Sequence, residues 1–320
     1  MESCLCTNHA GLFSFETSCN KEYVMLTSCT LCPRTCKVNR EIGEIGYCKM
    51  PAQIYAARAA LHFWEEPSIS GNKGSGTVFF SGCNLRCAFC QNHEIAIGKT
   101  GKEISVSRLS EIYLELQEQG AHNINLVTPT HYVLSIIESL RLAKEQGLSI
   151  PIVYNSGGYE SKETLKRLDG LIDIYLPDSK YYSSTLATAY SNAPDYPEVN
   201  LAALKEMFRQ VGPCKFDQNS MLQRGMIIRH LILPGETADS KRVLRRLYET
   251  FGNDVYLSIM NQYTPLPHIS HIPALCRRVS DEEYRRVLTF CQRLGIQHAY
   301  IQEGETASES FIPPFTLEGL

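Results

Sequence analysis

No stretch of this 320-residue chain reaches the roughly 18 consecutive apolar residues that a membrane-spanning helix requires, so no membrane partner is expected. The opening residues, MESCLCTNHAGLFSFE, lack a basic segment followed by an apolar one, so no secretory leader is expected either. Positive charge is not in excess: 31 Lys and Arg stand against 34 Asp and Glu, a formal net charge of -3. A broad grip on nucleic-acid phosphates normally needs a basic surface, which leaves at most a local basic groove for such a partner. There is no low-complexity tract and no repeat of 20 to 50 residues. With 43% hydrophobic residues, a chain of this length has enough material for a sizeable core in one or two domains.

Cysteine is what the chain has in unusual supply. Of its 13 cysteines, ten (Cys4, Cys6, Cys19, Cys29, Cys32, Cys36, Cys48, Cys83, Cys87 and Cys90) fall in the first 90 residues. A secreted disulfide framework does not fit a chain without a leader and with an odd cysteine total. The expected compartment is a reducing cytoplasm, where clustered cysteines are more often metal ligands.

Two regions differ in pattern. Residues 1–50 are cysteine-rich, poor in periodicity and punctuated by Pro33, Gly43 and Gly46, which predicts a small metal-binding module held by something other than a core. In residues 51–320, short apolar runs suited to strands buried on both faces alternate with amphipathic helical stretches. The runs are 77–82, 123–127, 151–154, 172–176, 226–233 and 255–260, with a last short one at 297–301. Leu109, Ile112, Tyr113 and Leu116 share one helical face before Gly120; Ser280 and Glu283 form a capping box ahead of Tyr284, Val287, Leu288 and Cys291, with Gly295 as the stop. The expected fold is α/β: a partial, open parallel (β/α)6 barrel with a small cysteine-rich N-terminal module, a doubly wound sheet being the competitor. Residues 177–225 exceed an ordinary crossover and read as an insertion, either a lid or partner surface or a peripheral decoration.

Cys83, Cys87 and Cys90 lie in SGCNLRCAFCQN, directly after the first buried strand. Three thiolates on one tight loop suit three corners of a 4Fe-4S cluster, and with no fourth cysteine nearby one iron is left open to a small molecule. A three-cysteine zinc site completed by His93 is the competing reading, but it accounts for neither the preceding strand nor the loops below. At this spacing, with the aromatic Phe89 before the third cysteine, the sequence resembles the radical S-adenosylmethionine (SAM) superfamily. The resemblance implies that the open iron chelates the amino and carboxylate groups of SAM, with Phe89 near the adenine.

The other unusual loops also follow strands, where a parallel barrel places its chemistry. Thr128, Pro129 and Thr130 stand where related enzymes carry a Gly-Gly-Glu-like segment that meets the cofactor's amino group, and this chain has neither those glycines nor that acid. Asn155, Ser156 and Gly157, followed by Gly158, are similar to a Thr-Asn-Gly segment of the activating enzymes; glycine admits close backbone approach, and Asn or Ser can bond ribose hydroxyls or a carboxylate. Pro177-Asp178-Ser179-Lys180 is similar to an Asp-Leu-Lys stretch there, Arg229 on the fifth strand could pair with the cofactor carboxylate, and Asn261-Gln262-Tyr263 follow the sixth.

The stretch from ARAALHFWEEPSISG into the cysteine motif narrows the resemblance to PflX-type homologues of pyruvate formate-lyase activating enzyme, over about residues 29–314. Within that stretch, His62, Glu65 and Glu66 do not have zincin spacing and are read as solvated charge and ordinary packing. Upstream, Cys29, Cys32, Cys36 and Cys48 supply four thiolates in CTLCPRTC and beyond, closing a second site for either zinc or an auxiliary 4Fe-4S cluster. Cys4, Cys6, Cys19, Cys214 and Cys276 have no assigned ligand role.

The resemblance implies reductive cleavage of SAM at the Cys83–Cys87–Cys90 cluster to a 5'-deoxyadenosyl radical that abstracts hydrogen, with no protein acid or base required for that step. It further implies a low-potential electron donor such as flavodoxin or ferredoxin, and a glycyl-radical enzyme or other protein as substrate. Modification of a peptide, RNA or metabolite, or a non-catalytic two-cluster electron carrier, are the alternatives.

Overall fold

The structure, a computed structural model, describes residues 25–302 and 313–320; Cys4, Cys6 and Cys19 lie outside them. Ten strands form one sheet: β1 (Ile54–His62), β2 (Ser75–Phe80), β3 (Lys102–Ile104), β4 (Ile124–Val127), β5 (Ile152–Ser156), β6 (Ile174–Pro177), β7 (Lys215–Phe216), β8 (Leu222–Leu231), β9 (Tyr256–Met260) and β10 (Ala299–Ile301). Their order is β10-β9-β8-β6-β5-β4-β2-β1-β3, with β7 on the side of β8. From β2 through β10 every pairing on this path is parallel. β2, β4, β5 and β6 are buried at every position, which is why they are legible as unbroken apolar runs. The mostly parallel open α/β sheet matches the expected fold class.

The expected pattern has no antiparallel edge, and the structure adds one. β1 pairs antiparallel with β2, and β3 antiparallel with β1. Its sequence, IYAARAALH, is alanine-rich and carries Arg58, so it lacks the β-branched signature of a strand. The C-terminal residues run along this edge: Ala59 N–H donates to Glu318 O at 2.8 Å, Leu317 N–H to Ala57 O at 3.1 Å, and Phe315 packs edge-on against Phe79.

Helices α1 (Val106–Glu118), α2 (Val133–Glu145), α3 (Ser184–Ser191), α4 (Tyr196–Val211), α5 (Thr237–Phe251) and α6 (Asp281–Leu294) connect the strands. Leu109, Ile112, Tyr113 and Leu116 are the buried face of α1, and Ser105 caps it by accepting from Arg108 N–H. In α6 the Ser280–Glu283 capping box is complete, Tyr284, Val287 and Cys291 are buried, and Gly295 closes the helix at φ 91°. The long connection after β6 holds α3 and α4. Tyr190 O accepts from Ala88 N–H at 2.8 Å, so this insertion braces the cysteine loop.

Candidate functional site

The loop 81–90 leaves the C-terminal end of β2 through Gly82, whose φ of 84° and surroundings both require glycine. A Cβ there would stand 2.3 Å from Met50 Cγ and 2.6 Å from Cys48 O. Beyond it the loop is tied on three sides. Asn84 Nδ2 donates to Tyr159 O at 2.6 Å, Arg34 Nε donates to Asn84 O at 2.8 Å, and α3 holds Ala88. Arg86 takes a left-handed φ of 50°, and Cys90 N–H closes on Cys87 O at 3.1 Å.

Cys87 is thereby buried, and Cys83 and Cys90 are half-buried on the same loop. Burial, then the neighbouring Cys87 sulfur, pushes the Cys83 thiol up to about 11, and burial followed by Cys87 and Cys83 raises Cys90 further. As thiolates they therefore need a compensating cation, and a soft, sulfur-preferring centre fits the donor set. Among the described residues no group of three His, Cys, Asp or Glu side chains is placed to hold a single metal ion. His93 instead stacks on His268 at 4.2 Å. Hydrogen bonds already reach two of the sulfurs: Leu85 N–H donates to Cys83 Sγ at 3.3 Å and Ser191 Oγ to Cys87 Sγ at 3.0 Å.

Cys87, Phe89 and Cys90 open onto a cavity of about 220 Å³, also lined by His62, Glu65, Asn155, Asp178, Lys180, Arg229 and Met260. Phe89 is buried and meets Tyr181, Tyr190 and Tyr263 edge-on at 6.3–6.4 Å. Arg229 is held by two carboxylates, Asp178 Oδ1 at 3.0 Å and Glu65 Oε2 at 3.2 Å, and donates to Asn155 Oδ1. Asp178 Oδ2 also lies 2.5 Å from Lys180 Nζ. Burial alone would raise the Asp178 pKa, but Lys180 and Arg229 outweigh it and hold it lowered. Burial likewise works against the Lys180 charge, yet Asp178 and the Cys87 thiol keep its pKa raised.

The remaining expected cofactor contacts stand behind this wall. Thr128 N–H bonds Asn155 O at 2.9 Å with Thr128 at φ 59°; Pro129 opens a short 3-10 turn; Thr130 Oγ1 donates to Glu160 at 2.7 Å. Ser156 Oγ accepts from Gly158 N–H, and Gly157 O accepts from Tyr196 OH at 2.9 Å. None of these five borders the cavity.

Glu65 and Glu66 overturn the expectation of solvated charge. Glu66 is buried, and Glu65 accepts from Asn125 at 2.9 Å and Asn155 at 3.2 Å besides pairing with Arg229, so it spans β4, β5 and β8. Its partners lie 60 to 164 residues away, and the one local signal was an acidic pair set against Pro67 between two strands. Lys180 was visible in the sequence as part of a motif, but not as the cation facing the cysteines.

The four upstream cysteines also come together. Cys29 exchanges backbone bonds with Val38 and Lys37, Cys32 O accepts from Thr35 N–H, and Cys36 Sγ accepts from Tyr47 N–H at 3.3 Å. Burial pushes Cys32 up to about 12, with Cys48 and Cys29 adding; burial also raises Cys48, with Cys29 and Cys36 adding. Cys48 is thus within electrostatic reach of Cys29, Cys32 and Cys36. The segment is fastened to the barrel by Leu31 O, which accepts from Thr164 Oγ1 at 2.8 Å, and by Arg34, which bonds Ser191 O and Asn192 O. Tyr47 lies between the guanidinium groups of Arg34 and Arg86, at 3.8 and 4.0 Å, and donates to Leu85 O at 3.3 Å.

Residues 77–247, just over half of the chain, match the family model of the Radical SAM superfamily. The chain belongs to the radical SAM superfamily. An uncharacterized protein of Methanocaldococcus jannaschii is 27% identical over 285 residues, 85% of this chain and 77% of that one. The pyruvate formate-lyase-activating enzyme of Clostridium pasteurianum is 29% identical over 203 residues, 60% of this chain and 76% of that one. The solved structure of anSMEcpe with bound AdoMet aligns at a TM-score of 0.40 and 14% identity, covering 58% of this chain; this chain spans about half of that one, 48%. A score that low carries no argument about this radical SAM protein. Among the described residues no helix is long and apolar enough to cross a membrane.

Proposed function

We propose that this chain is a radical SAM enzyme whose Cys83, Cys87 and Cys90 hold three corners of a 4Fe-4S cluster and leave one iron for SAM. The observation that carries the reading is one loop of three cysteines, two of which, Cys87 and Cys90, line a cavity that also holds Lys180, Asp178 and Arg229. When bound, the cluster supplies one electron to the sulfonium of SAM, releasing methionine and a 5'-deoxyadenosyl radical for hydrogen abstraction.

The protein's own groups bind and orient. Asp178 is the anion available to an ammonium group, and Lys180, facing Cys87 and Asp178, the cation available to a carboxylate. Arg229, satisfied by Asp178 and Glu65, sets the positions of those acids and of Asn155. Phe89, backed by three tyrosines, offers a fixed apolar face to a flat base. Thr128, Pro129, Thr130, Ser156 and Gly157 shape the wall from behind.

The similarity to an activating enzyme supports a glycine on a partner protein as the hydrogen source, with flavodoxin or ferredoxin as electron donor in a reducing cytoplasm. Phe63 and Trp64 are exposed beside the cavity and give such a partner an apolar edge to meet. Residues 1–50 and 51–320 remain our division into a metal-binding module and a barrel. Anaerobically reconstituted protein given dithionite and SAM is expected to release 5'-deoxyadenosine, and Cys87→Ala to abolish the release; continued cleavage in that variant overturns the assignment.

A further inference from the structure

The groups that donate to the cysteine sulfurs are themselves held from the N-terminal segment. Pro33 and Arg34 are the central residues of a turn closed by Thr35 N–H on Cys32 O at 3.1 Å, and the segment just before it is fastened to the barrel through Leu31 O. From this turn the half-buried Arg34 guanidinium reaches three carbonyls. Its Nε donates to Asn84 O at 2.8 Å, its Nη2 to Ser191 O at 3.0 Å and its Nη1 to Asn192 O. The rings of Tyr47 and Tyr159 lie 3.8 and 5.1 Å from it. A planar fork of N–H donors can serve several carbonyls at once, which a lysine ammonium at the same place cannot match.

Two of these carbonyls belong to groups that bond a sulfur. Asn84 O and Leu85 N–H are the two ends of one planar peptide unit, and that N–H donates to Cys83 Sγ at 3.3 Å. A cation on the carbonyl draws electron density from the amide and strengthens its N–H as a donor. Ser191 O lies in the last turn of α3, where unpaired carbonyls and the helix dipole favour a cation, and the Ser191 hydroxyl donates to Cys87 Sγ at 3.0 Å. Tyr47 completes the arrangement, its OH donating to Leu85 O at 3.3 Å. We propose that Arg34 is a positioning residue for the first cysteine site: by holding Asn84 O and Ser191 O it fixes and polarises the donors to Cys83 and Cys87, and so sets the reduction potential of the cluster there. Donors to a ligating sulfur favour the reduced cluster, so weaker donors mean a lower potential.

The proposal rests on the reading that Cys83, Cys87 and Cys90 hold a cluster, and not on SAM cleavage or on what the upstream cysteines bind. The full chain and its variants are reconstituted anaerobically, and the first cluster's signal is the part of the electron paramagnetic resonance spectrum absent from the chain carrying Cys83→Ala, Cys87→Ala and Cys90→Ala together. The midpoint potential of that signal is expected to fall in Arg34→Met. Arg34→Lys keeps the charge without the planar fork and is expected to show most of the same fall. In a Ser191→Ala background, Arg34→Met is expected to lower the potential by less than it does in the parent, because one of its two routes is gone. An unchanged potential in Arg34→Met, full restoration by Arg34→Lys, or strictly additive shifts with Ser191→Ala each overturns the role of Arg34 alone. If the parent and the triple variant give the same signal, the cluster reading falls and takes the proposal with it. Amide exchange in the metal-free chain covers a variant that loses its iron. The N–H groups of Leu85 and of Ala88, the latter bonded to Tyr190 O at 2.8 Å, are expected to exchange faster in Arg34→Met than in the parent, and equal exchange overturns the proposal.

Discussion

The Ser191 hydroxyl donates to the Cys87 sulfur at 3.0 Å and is itself within 2.7 Å of Tyr181 OH. Ser191 ends α3, so the length of that helix sets where the donor stands. A hydrogen bond to a ligating sulfur withdraws electron density and favours the reduced cluster. Ser191→Ala is therefore expected to shift the first cluster's potential downward and to slow 5'-deoxyadenosine release with a physiological donor more than with excess dithionite. Potentiometric titration followed by electron paramagnetic resonance checks it; an unchanged potential would show that the bond does not tune the cluster.

Arg229 tests the cavity wall. Replacing it with Met leaves Asp178 and Glu65 facing each other in a site where the side chains are only 17% and 9% exposed. Removing one partner of a largely buried ion network costs about 3–5 kcal/mol, because the remaining charges lose compensation. Urea unfolding of Arg229→Met should show a loss of that order, and Arg229→Met combined with Glu65→Gln should lose less than the two single changes added together. Strict additivity would mean that the pair does not interact.

How much of this was legible from the chain alone depends on the range over which each signal acts. Strands β4, β5 and β6 bury both faces, so their runs of Ile, Leu, Val and Tyr announce them locally. The Ser280–Glu283 box and the loop of Cys83, Cys87 and Cys90 are likewise written within a few residues. β1 was hidden because alanine fits a close-packed edge without a strand's composition. The Glu65–Arg229 pair was hidden for a different reason: an acid's partner 164 residues away leaves no trace beside it, and a charge run alone reads as solvated surface.

The pH dependence of stability should carry the signature of Glu160. It is fully buried, accepts from Thr130 Oγ1 at 2.7 Å and Tyr154 OH at 3.2 Å, and burial pushes its carboxyl up to about 7, those hydroxyls opposing. An acid whose folded pKa lies above its unfolded one binds its proton more tightly when folded. Its contribution is thus complete below about pH 4.5 and lost as pH rises through about 7. Relative to the parent, Glu160→Gln is expected to gain stability steadily between pH 5 and pH 8, by on the order of 2–3 kcal/mol. Paired denaturation curves at those pH values check it; a difference independent of pH would mean that Glu160 is ionised throughout.

Gly82 is where the two cysteine sites meet, and its substitution separates two costs. At Gly120, φ is 87° and a Cβ would meet nothing within 4 Å, so Gly120→Ala reports the left-handed backbone penalty alone, about 1 kcal/mol. At Gly82 the same penalty is joined by a Cβ 2.3 Å from Met50 Cγ and 2.6 Å from Cys48 O. The methionine can swing away, but the carbonyl belongs to backbone held by the upstream cysteines. Gly82→Ala is thus expected to cost about 1–3 kcal/mol more than Gly120→Ala. It should also lower iron retention, because relief of the clash must move either the Cys83 loop or the Cys48 segment. Denaturation and iron counting on the two variants side by side check this, and equal losses would show that the seam yields without disturbing either set of thiols.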